Sequence, residues 1–272
     1  MAVTQRDYSK EIVEAAKSVL IELTRLLGEY RDEIVLVGGW VPGLQYPGHI
    51  GSSDVDIALD HTKLKEAGYK RIEELLVTAG YRRDDDQPFK YWRTVNGVEV
   101  EVDLLAGEYG GTGRGRRHQK VQDVRARKAR GVDLVFDDPV EIEITGKLPG
   151  GGTDTVLIRI AGIVPFIVMK SMALNSRLKE KDAYDIYIFL LNFPGGVDAV
   201  ISKCEKYKNY GLFKETLEIL SVKFKSPEHT GPVDVVNFLE IENVEERERI
   251  QRDVFERIDY LINHLTLSLI HI

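Results

Sequence analysis

Residues 33–59 read EIVLVGGWVPGLQYPGHIGSSDVDIAL, and this stretch decides the fold of the chain. An apolar run, residues 34–37, is followed at once by Gly38 and Gly39. A loop rich in glycine and proline then leads to residues 54–59, which alternate acidic and apolar side chains before becoming fully apolar. Short apolar runs bounded by turn residues are typical of buried β-strands. The pattern predicts a strand, a tight glycine turn, a loop and a second strand.

Two acidic side chains open the second predicted strand. Because side chains alternate between the two faces of a strand, Asp54 and Asp56 lie on the same face, about 7 Å apart. Neighbouring carboxylates repel each other, and a protein retains them at low cost where a cation lies between them. The alternative is that both acids belong to the solvated face of an edge strand.

A third acid is predicted on a later hairpin. Residues 91–95 and 98–105 alternate in strand fashion around Asn96 and Gly97, a pair typical of two-residue hairpin turns. On the second of these strands the valines share one face and the acids share the other. Asp103 can therefore face the acid pair on the earlier strand, which favours a metal site over a solvated edge.

Asp54, Asp56 and Asp103 together resemble the oxygen ligand set of a divalent cation. We expect one or two Mg²⁺ ions there, with Mn²⁺ as a substitute, because Mg²⁺ is bound by carboxylates and shares its coordination with substrate phosphates. The same stretch offers donors for a phosphate, namely the backbone N–H groups of Gly38 and Gly39 and the hydroxyls of Ser52 and Ser53.

A basic island follows the hairpin in this acidic protein. Residues 106–131 begin with glycines and continue with many arginines and lysines. Clustered basic side chains bind nucleic-acid phosphates without regard to sequence, so this island is a candidate RNA-acceptor surface. The equally open alternative is a solvated, mobile loop or helix. The candidate acceptor-binding residues are Arg114, Arg116, Arg117, Arg125 and Arg127.

The two halves of the chain differ in their periodicity. The first half mixes strands with amphipathic helices, and the second half, after the turn or linker at residues 148–152, shows helical periodicity. We predict an α+β fold: residues 1–150 form a mixed β-sheet domain with flanking helices, and residues 151–272 form an α-helical domain that completes the active site. The predicted helices are residues 8–27, 63–79, 164–174, 181–191, 197–207, 212–220 and 244–265.

Composition limits the class of protein. The chain has 272 residues, 30% of them charged, a net charge of −7 and one cysteine, Cys204. A single cysteine excludes an internal disulfide framework, and we expect Cys204 to be a buried or half-buried helix residue rather than a nucleophile. The longest apolar region, residues 160–169, is too short to span a bilayer. We expect a soluble cytoplasmic protein without a membrane partner.

The motifs together resemble the nucleotidyltransferase fold of the DNA polymerase β superfamily. Lys170, Arg177 and the KDAYD sequence at residues 181–185 are similar to the helical motifs of AbiEii/AbiGii-type nucleotidyltransferases, which are typically toxins of toxin–antitoxin and abortive-infection systems. The resemblance covers roughly residues 30–192. It implies that Asp54, Asp56 and Asp103 bind the metals and that Asp103 also helps to activate the acceptor hydroxyl.

The same resemblance gives roles to charged residues of the second half. It implies that Lys170 and Lys181 contact the triphosphate, and that Asp182 and Asp185 orient those lysines or the nucleotide. Considered from the residues alone, Asp182 and Asp185 lie one helical turn apart, and charge pairs of this kind are usually exposed at a helix surface. Both interpretations stay open at this point.

The expected activity is metal-dependent transfer of NMP from an NTP to an acceptor hydroxyl, with RNA, plausibly the 3′ end of tRNA, as acceptor. By resemblance, the protein is a toxin neutralised by a separate antitoxin protein. Two alternatives are a nucleotidyltransferase that acts on a small molecule or a protein side chain, and a non-catalytic nucleotide-binding module.

Overall fold

The computed structural model describes residues 3–64, 71–109, 117–177 and 179–270, with side chains up to residue 266. The chain forms two compact units. The sheet unit is Tyr8–Pro165, and the helical unit is Met1–Asp7 together with Phe166–Ile272. The sequence places the domain boundary at residue 150. In the structure the turn at residues 148–152 joins two paired strands, so the sheet unit extends to Pro165.

The helices and strands of the sheet unit alternate only in its first half. In chain order they are α1 (Lys10–Leu26), β1 (Ile34–Val37), α2 (Trp40–Gln45), β2 (Asp54–Leu59), α3 (Ile72–Thr78), β3 (Arg82–Arg83), β4 (Lys90–Val95), β5 (Val98–Ala106), β6 (His118–Val121), β7 (Val124–Lys128), β8 (Val140–Lys147) and β9 (Thr153–Ile160).

One mixed sheet contains all the strands that the structure describes. Its main order is β3-β4-β5-β2-β1-β9-β8, and the β6–β7 hairpin joins it where β7 pairs with the end of β5. Strands β2 and β5 are parallel neighbours, as are β5 and β7, whereas β1 and β2 are antiparallel. Strand β2 is therefore central, and the interpretation of its acids as a solvated edge is wrong.

The two faces of the sheet differ in chemistry. Helix α1 packs against β2, β4, β5, β8 and β9, and its buried side chains include Val19, Leu20 and Leu23. On this face β2 and β5 present apolar residues such as Ile57 and Val102, both at most 1% exposed. Burial of such side chains contributes about 1.5–3 kcal/mol each. The opposite face of the same two strands carries the acids.

Most local predictions for the first half are confirmed. The strands at residues 34–37 and 54–59 and the Asn96–Gly97 hairpin are present, and Asn96 and Gly97 both have positive φ angles. The predicted helix at residues 63–79 is present only as Ile72–Thr78: Lys63 and Leu64 lie in a turn, Arg71 is extended, and residues 65–70 lie outside the described part. The described middle of the basic island is not a mobile loop or a helix: residues 118–128 form the β6–β7 hairpin.

The helical unit consists of consecutive helices. In chain order they are α4 (Ile163–Ser176), which contains the division between the units, α5 (Glu180–Asn192), α6 (Gly196–Cys204), α7 (Gly211–Lys223), α8 (Thr230–Phe238) and α9 (Val244–Ile270). Aromatic rings fill its core, with the Tyr184 and Phe238 ring centroids 4.6 Å apart. Helix α8 was not predicted from the sequence; the other helices were. The α+β fold class is confirmed.

Among the described residues, no single helix is both long and apolar enough to cross a membrane. The pair Glu180–Asn192 and Gly196–Tyr207, which is bent by 107°, meets the length and composition criteria only when its two helices are taken together.

Candidate active site

Four carboxylates form a compact group on the charged face of the sheet. Because β2 and β5 are parallel neighbours, Asp54 lies opposite Glu101 and Asp56 lies opposite Asp103. Adjacent strands are about 4.8 Å apart, and paired residues point to the same face. We call these four residues the acid row. The predicted convergence of Asp54, Asp56 and Asp103 on one face is therefore present in the strand register, and Glu101 was missing from the predicted site.

Gly38 is needed where β1 ends beside the acid row. Val37 pairs with Asp56, so the next residue lies against the Asp56 carboxylate. A Cβ atom on Gly38 would lie 2.2 Å from Asp56 Oδ2, and its φ angle of +74° is one that side chains other than glycine rarely adopt. Gly39 has an ordinary helical φ of −67° and precedes the six-residue helix α2. The first glycine is thus required by the site, and the phosphate-binding role of both stays a prediction.

Two neighbours hold Asp54 in place. The Ser52 hydroxyl donates a hydrogen bond of 2.6 Å to Asp54 Oδ1, and Ser52 is only 3% exposed. The buried Trp40 indole donates to the Asp54 carbonyl oxygen at 2.8 Å. Ser53 is half-buried. Ser52 was predicted as a phosphate donor, and in the structure its hydroxyl orients a member of the acid row.

Asp103 is the most buried member of the acid row, at 8% exposed. Burial is the main cause that raises the pKa of Asp103 to about 6; Arg127 and Lys90 oppose the increase, whereas Glu101 and Asp54 add to it. Arg127 Nη2 donates to Asp103 Oδ2 at 3.2 Å. The other oxygen, Oδ1, is buried and has no hydrogen-bond partner among the described residues. This oxygen is free to accept a cation or a proton.

Lys90 balances part of the acid row and was not predicted. It starts β4, directly opposite Asp103, and its Nζ lies 2.8 Å from Glu101 Oε1. The same ammonium group lies 5.7 Å from the centre of the Trp92 ring. The sequence signal for Lys90 is its place in the hairpin register, one residue before the predicted strand at residues 91–95.

Basic side chains continue the charged face beyond the acids. Because Arg127 pairs with Leu105 on β5 and with His118 on β6, these residues point to the face that carries Asp103. By the same alternation this face also carries Arg125, which pairs with Lys120 and is exposed. The basic strip comprises His118, Lys120, Arg125 and Arg127. Arg117 is exposed just before β6, and the predicted contacts Arg114 and Arg116 lie outside the described residues.

The acid row has the chemistry of a divalent-cation site. Carboxylate oxygens are the ligands that Mg²⁺ and Mn²⁺ prefer, and Asp103 Oδ1 is a buried oxygen without a donor. Nowhere in the described part of the chain, however, are three or more Asp, Glu, His or Cys side chains arranged to hold a metal ion. Binding of a cation therefore requires the side chains to rearrange, and two of them, Glu101 and Asp103, are each held by a basic partner.

The charged residues predicted in the second half form a buried network within the helical unit. Lys170 Nζ lies 2.9 Å from Asp182 Oδ1 and 2.7 Å from Asp185 Oδ2. Lys181 donates to both oxygens of Asp185, and Arg177 donates to both oxygens of Asp182. Both lysines and both acids are at most 7% exposed, so the interpretation as surface charges is wrong. Their predicted contact with a triphosphate stays a prediction.

Burial and ion pairing compete in this network. Burial opposes the charged form of Lys170, but Asp182 and Asp185 outweigh it and raise the pKa of Lys170 above its usual value. Burial likewise opposes ionisation of Asp182, and Lys170 and Arg177 nevertheless hold its pKa below the usual value. Lys170 and Asp182 are therefore both charged at neutral pH. Cys204 is buried, and burial raises its pKa to about 12, as expected for a helix residue that is not a nucleophile.

The mixed sheet with its glycine turn and central acids, together with the helices, defines a nucleotidyltransferase-like α+β fold. One solved structure supports this class: the "putative nucleotidyltransferase" from Helicobacter pylori, with a TM-score of 0.50, 12% identity and coverage of 96% of this chain and 98% of that chain. JHP933 from Helicobacter pylori is also similar, with a TM-score of 0.44, 14% identity and coverage of 96% and 97%. No protein-family profile matches the chain, and no curated protein is significantly similar to it.

Proposed function

We propose that the protein is a metal-dependent nucleotidyltransferase that moves NMP from an NTP to an acceptor hydroxyl and releases pyrophosphate. The observation that supports this most strongly is the strand register, which places Asp54 and Asp56 beside Asp103 on one face, next to the glycine turn at Gly38. The nucleotidyltransferase-like fold agrees with it. Asp54, Asp56 and Asp103 would hold one or two Mg²⁺ ions, which stabilise negative charge on the reacting phosphate oxygens.

Asp103 and Ser52 have further roles in the proposed reaction. Asp103 Oδ1 takes the proton of the acceptor hydroxyl. The acceptor oxygen then forms a bond to the α-phosphorus of the NTP, and the bond between that phosphorus and the oxygen bridging to the β-phosphate breaks. Asp103 Oδ1 can act as this base because it has no hydrogen-bond partner among the described residues. Ser52 holds Asp54 in a fixed orientation.

RNA is the acceptor that the charge distribution favours. The basic strip lies on the same face as the acid row and adjoins it at Arg127, so an RNA backbone bound along the strip would bring a terminal hydroxyl towards the acids. By resemblance to AbiEii-type enzymes, the acceptor is the 3′ end of tRNA, and the protein acts as a toxin neutralised by a separate antitoxin. The motif residues Lys170, Lys181, Asp182 and Asp185 carry that resemblance.

Transfer of label from α-³²P-NTPs to RNA tests the proposal. We expect Asp54→Asn and Asp103→Asn each to reduce transfer on the order of 100-fold or more, because each removes charge from the reaction centre. Glu99→Gln is the matched control: Glu99 lies on the same strand and face as Asp103, but it is exposed, and its ion pair among the described residues is with the exposed Arg82. Equal activity of the Asp54→Asn variant and the native protein would refute the assignment.

The acceptor is tested separately. Labelled NTPs are incubated with the protein and with tRNA, total cell protein or small hydroxyl compounds, and the labelled product is identified in each case. Label on RNA supports the proposal, whereas label on protein or on a small molecule identifies a different acceptor for the same chemistry. Growth arrest on expression of the native protein, but not of Asp54→Asn, tests the toxin role, and a co-expressed neighbouring gene product that restores growth identifies the antitoxin.

A further inference from the structure

The ion pair between Asp103 and Arg127 is incomplete on both sides. Only one bond joins them, from Arg127 Nη2 to Asp103 Oδ2. Asp103 Oδ1 and Arg127 Nε are both buried, and neither has a hydrogen-bond partner among the described residues. Each unsatisfied buried group costs about 1–3 kcal/mol. The pair therefore leaves one buried oxygen without a cation or hydrogen-bond donor and one buried N–H group without an acceptor.

Strand geometry explains why the pair is incomplete. A guanidinium and a carboxylate form two parallel hydrogen bonds when they meet squarely. Arg127, however, is paired with Leu105, two residues further along β5 than Asp103. This offset amounts to about 7 Å along the strand, so Arg127 reaches the carboxylate from the side. The backbone register thus prevents both partners from satisfying each other.

Arg127 also lies at the junction between opposite charges. On one side Asp103 belongs to the acid row, where Lys90 is already paired with Glu101. On the other side Arg127 continues into the basic strip through Arg125. Its guanidinium carbon lies 5.8 Å from the centre of the Phe89 ring, and 41% of its side chain is exposed. The guanidinium can therefore turn towards a ligand without leaving the protein surface.

We infer that Arg127 is a positioning residue that exchanges Asp103 for a phosphate of the substrate when a divalent cation binds the acid row. In the absence of a cation, Arg127 holds the Asp103 carboxylate and lowers the affinity of the acid row for metal. When the carboxylate turns to a cation, the guanidinium is released, and its Nη2 and Nε groups together bind a phosphate. This inference rests on the proposed function, since it assumes that the acid row binds a divalent cation.

The exchange makes a quantitative prediction about two ligands. A cation and a phosphate ligand that both relieve the same ion pair must strengthen each other's binding by the same factor, because coupling free energies are reciprocal. Couplings of this kind are typically about 5–150-fold. If Arg127 instead serves only to stabilise the sheet, its loss changes folding stability and leaves the coupling factor unchanged.

Mn²⁺ binding, measured from the electron paramagnetic resonance signal of the free ion, tests the inference without any turnover. The titration is performed alone, with a non-hydrolysable NTP analogue, and with a single-stranded RNA oligonucleotide. For the native protein we expect at least one phosphate ligand to increase Mn²⁺ affinity about tenfold. In Arg127→Met we expect Mn²⁺ alone to bind more tightly than in the native protein. The coupling with the RNA oligonucleotide should fall to about onefold, and the coupling with the NTP analogue should fall to the part that direct coordination of Mn²⁺ by the triphosphate supplies. The phosphate ligand whose coupling with Mn²⁺ falls in Arg127→Met is the one that Arg127 binds, either the NTP or the RNA.

Arg125→Met is the matched control, because it removes the same charge from the same strand and face without touching Asp103. It is expected to weaken RNA binding by itself and to retain the coupling factor. Arg127→Lys keeps the positive charge but lacks the paired N–H donors of the guanidinium, and it replaces Arg127→Met if that variant does not fold. Its coupling factor is expected to be at least about threefold lower than that of the native protein. Equal coupling in the Arg127 and Arg125 variants overturns the inference and leaves the proposed function intact. Absence of Mn²⁺ binding to the native protein overturns both.

Discussion

Replacing Asp185 by asparagine removes the carboxylate that two buried lysines share in the helical unit. Asp185 is fully buried, and it accepts hydrogen bonds from Lys181 at 2.9 and 3.1 Å and lies 2.7 Å from Lys170 Nζ. The network contains three cations, Lys170, Lys181 and Arg177, against two carboxylates. Asp185→Asn would remove the carboxylate between Lys170 and Lys181 and leave Asp182 paired with Lys170 and Arg177.

The magnitude follows from the charges that stay behind. Breaking a buried ion pair by removing one partner costs about 3–5 kcal/mol, because the other partner stays buried and charged. A whole domain is stable by only about 5–15 kcal/mol. Lys170→Met should cost less, about 2–4 kcal/mol, because Asp182 keeps Arg177 and Asp185 keeps Lys181, and only hydrogen bonds to charged groups are lost. We therefore predict both the size of each loss of stability and that Asp185→Asn is more destabilising than Lys170→Met.

Urea denaturation at pH 7, followed by circular dichroism, measures both variants. At this pH the network contributes fully to the free energy of unfolding. Because the pKa of Lys170 is raised, its contribution to stability is lost only as the solution becomes strongly alkaline. Because the pKa of Asp182 is lowered, its contribution to stability is lost only in acid. Glu246→Gln is the control, because Glu246 forms a long, exposed pair with Arg249 and should cost at most about 1 kcal/mol. A loss below about 1 kcal/mol for Asp185→Asn would refute the reasoning.

Three further predictions concern single side chains. Gly38→Ala should displace the Asp56 carboxylate and destabilise the protein by at least about 1–2 kcal/mol in thermal unfolding. Gly39→Ala should be tolerated, because Gly39 has a helical φ angle. Equal melting temperatures of the two variants would contradict this prediction. Because burial raises the pKa of Asp103 to about 6, ionisation of Asp103 destabilises the metal-free protein as the pH rises from about 4 through 6. The stability of Asp103→Asn relative to the native protein should therefore increase by on the order of 2–3 kcal/mol between pH 4 and pH 8. Parallel curves of stability against pH for the two proteins would contradict this. Cys204 should resist iodoacetamide at pH 8 in the folded protein and react after denaturation, as checked by mass spectrometry; rapid alkylation of the native protein would show that the thiol is accessible.

The parts of the site that were predictable rest on local patterns. Asn96 and Gly97 set the hairpin register, and the two-residue alternation of β5 then places Asp103 on the charged face. The same alternation also places Glu101 there, but a single acid in an alternating strand is too common a pattern to indicate a site. Helix α4 was predictable from its apolar composition, and α5 from its apolar residues and the turn at residues 193–196.

The sequence alone determined that Asp54 and Asp56 share a face and that a tight glycine turn precedes them, because strand periodicity and the conformational freedom of glycine act over a few residues. Only the tertiary structure decided the neighbours of these groups. Arg127 reaches Asp103 because β5 and β7 are parallel strands joined by a long connection, and Lys170 is neutralised because α4 and α5 bring it to Asp182 and Asp185. Such pairings depend on which segments pack together, and burial then decides whether a charge is screened by water or must be balanced by a specific partner.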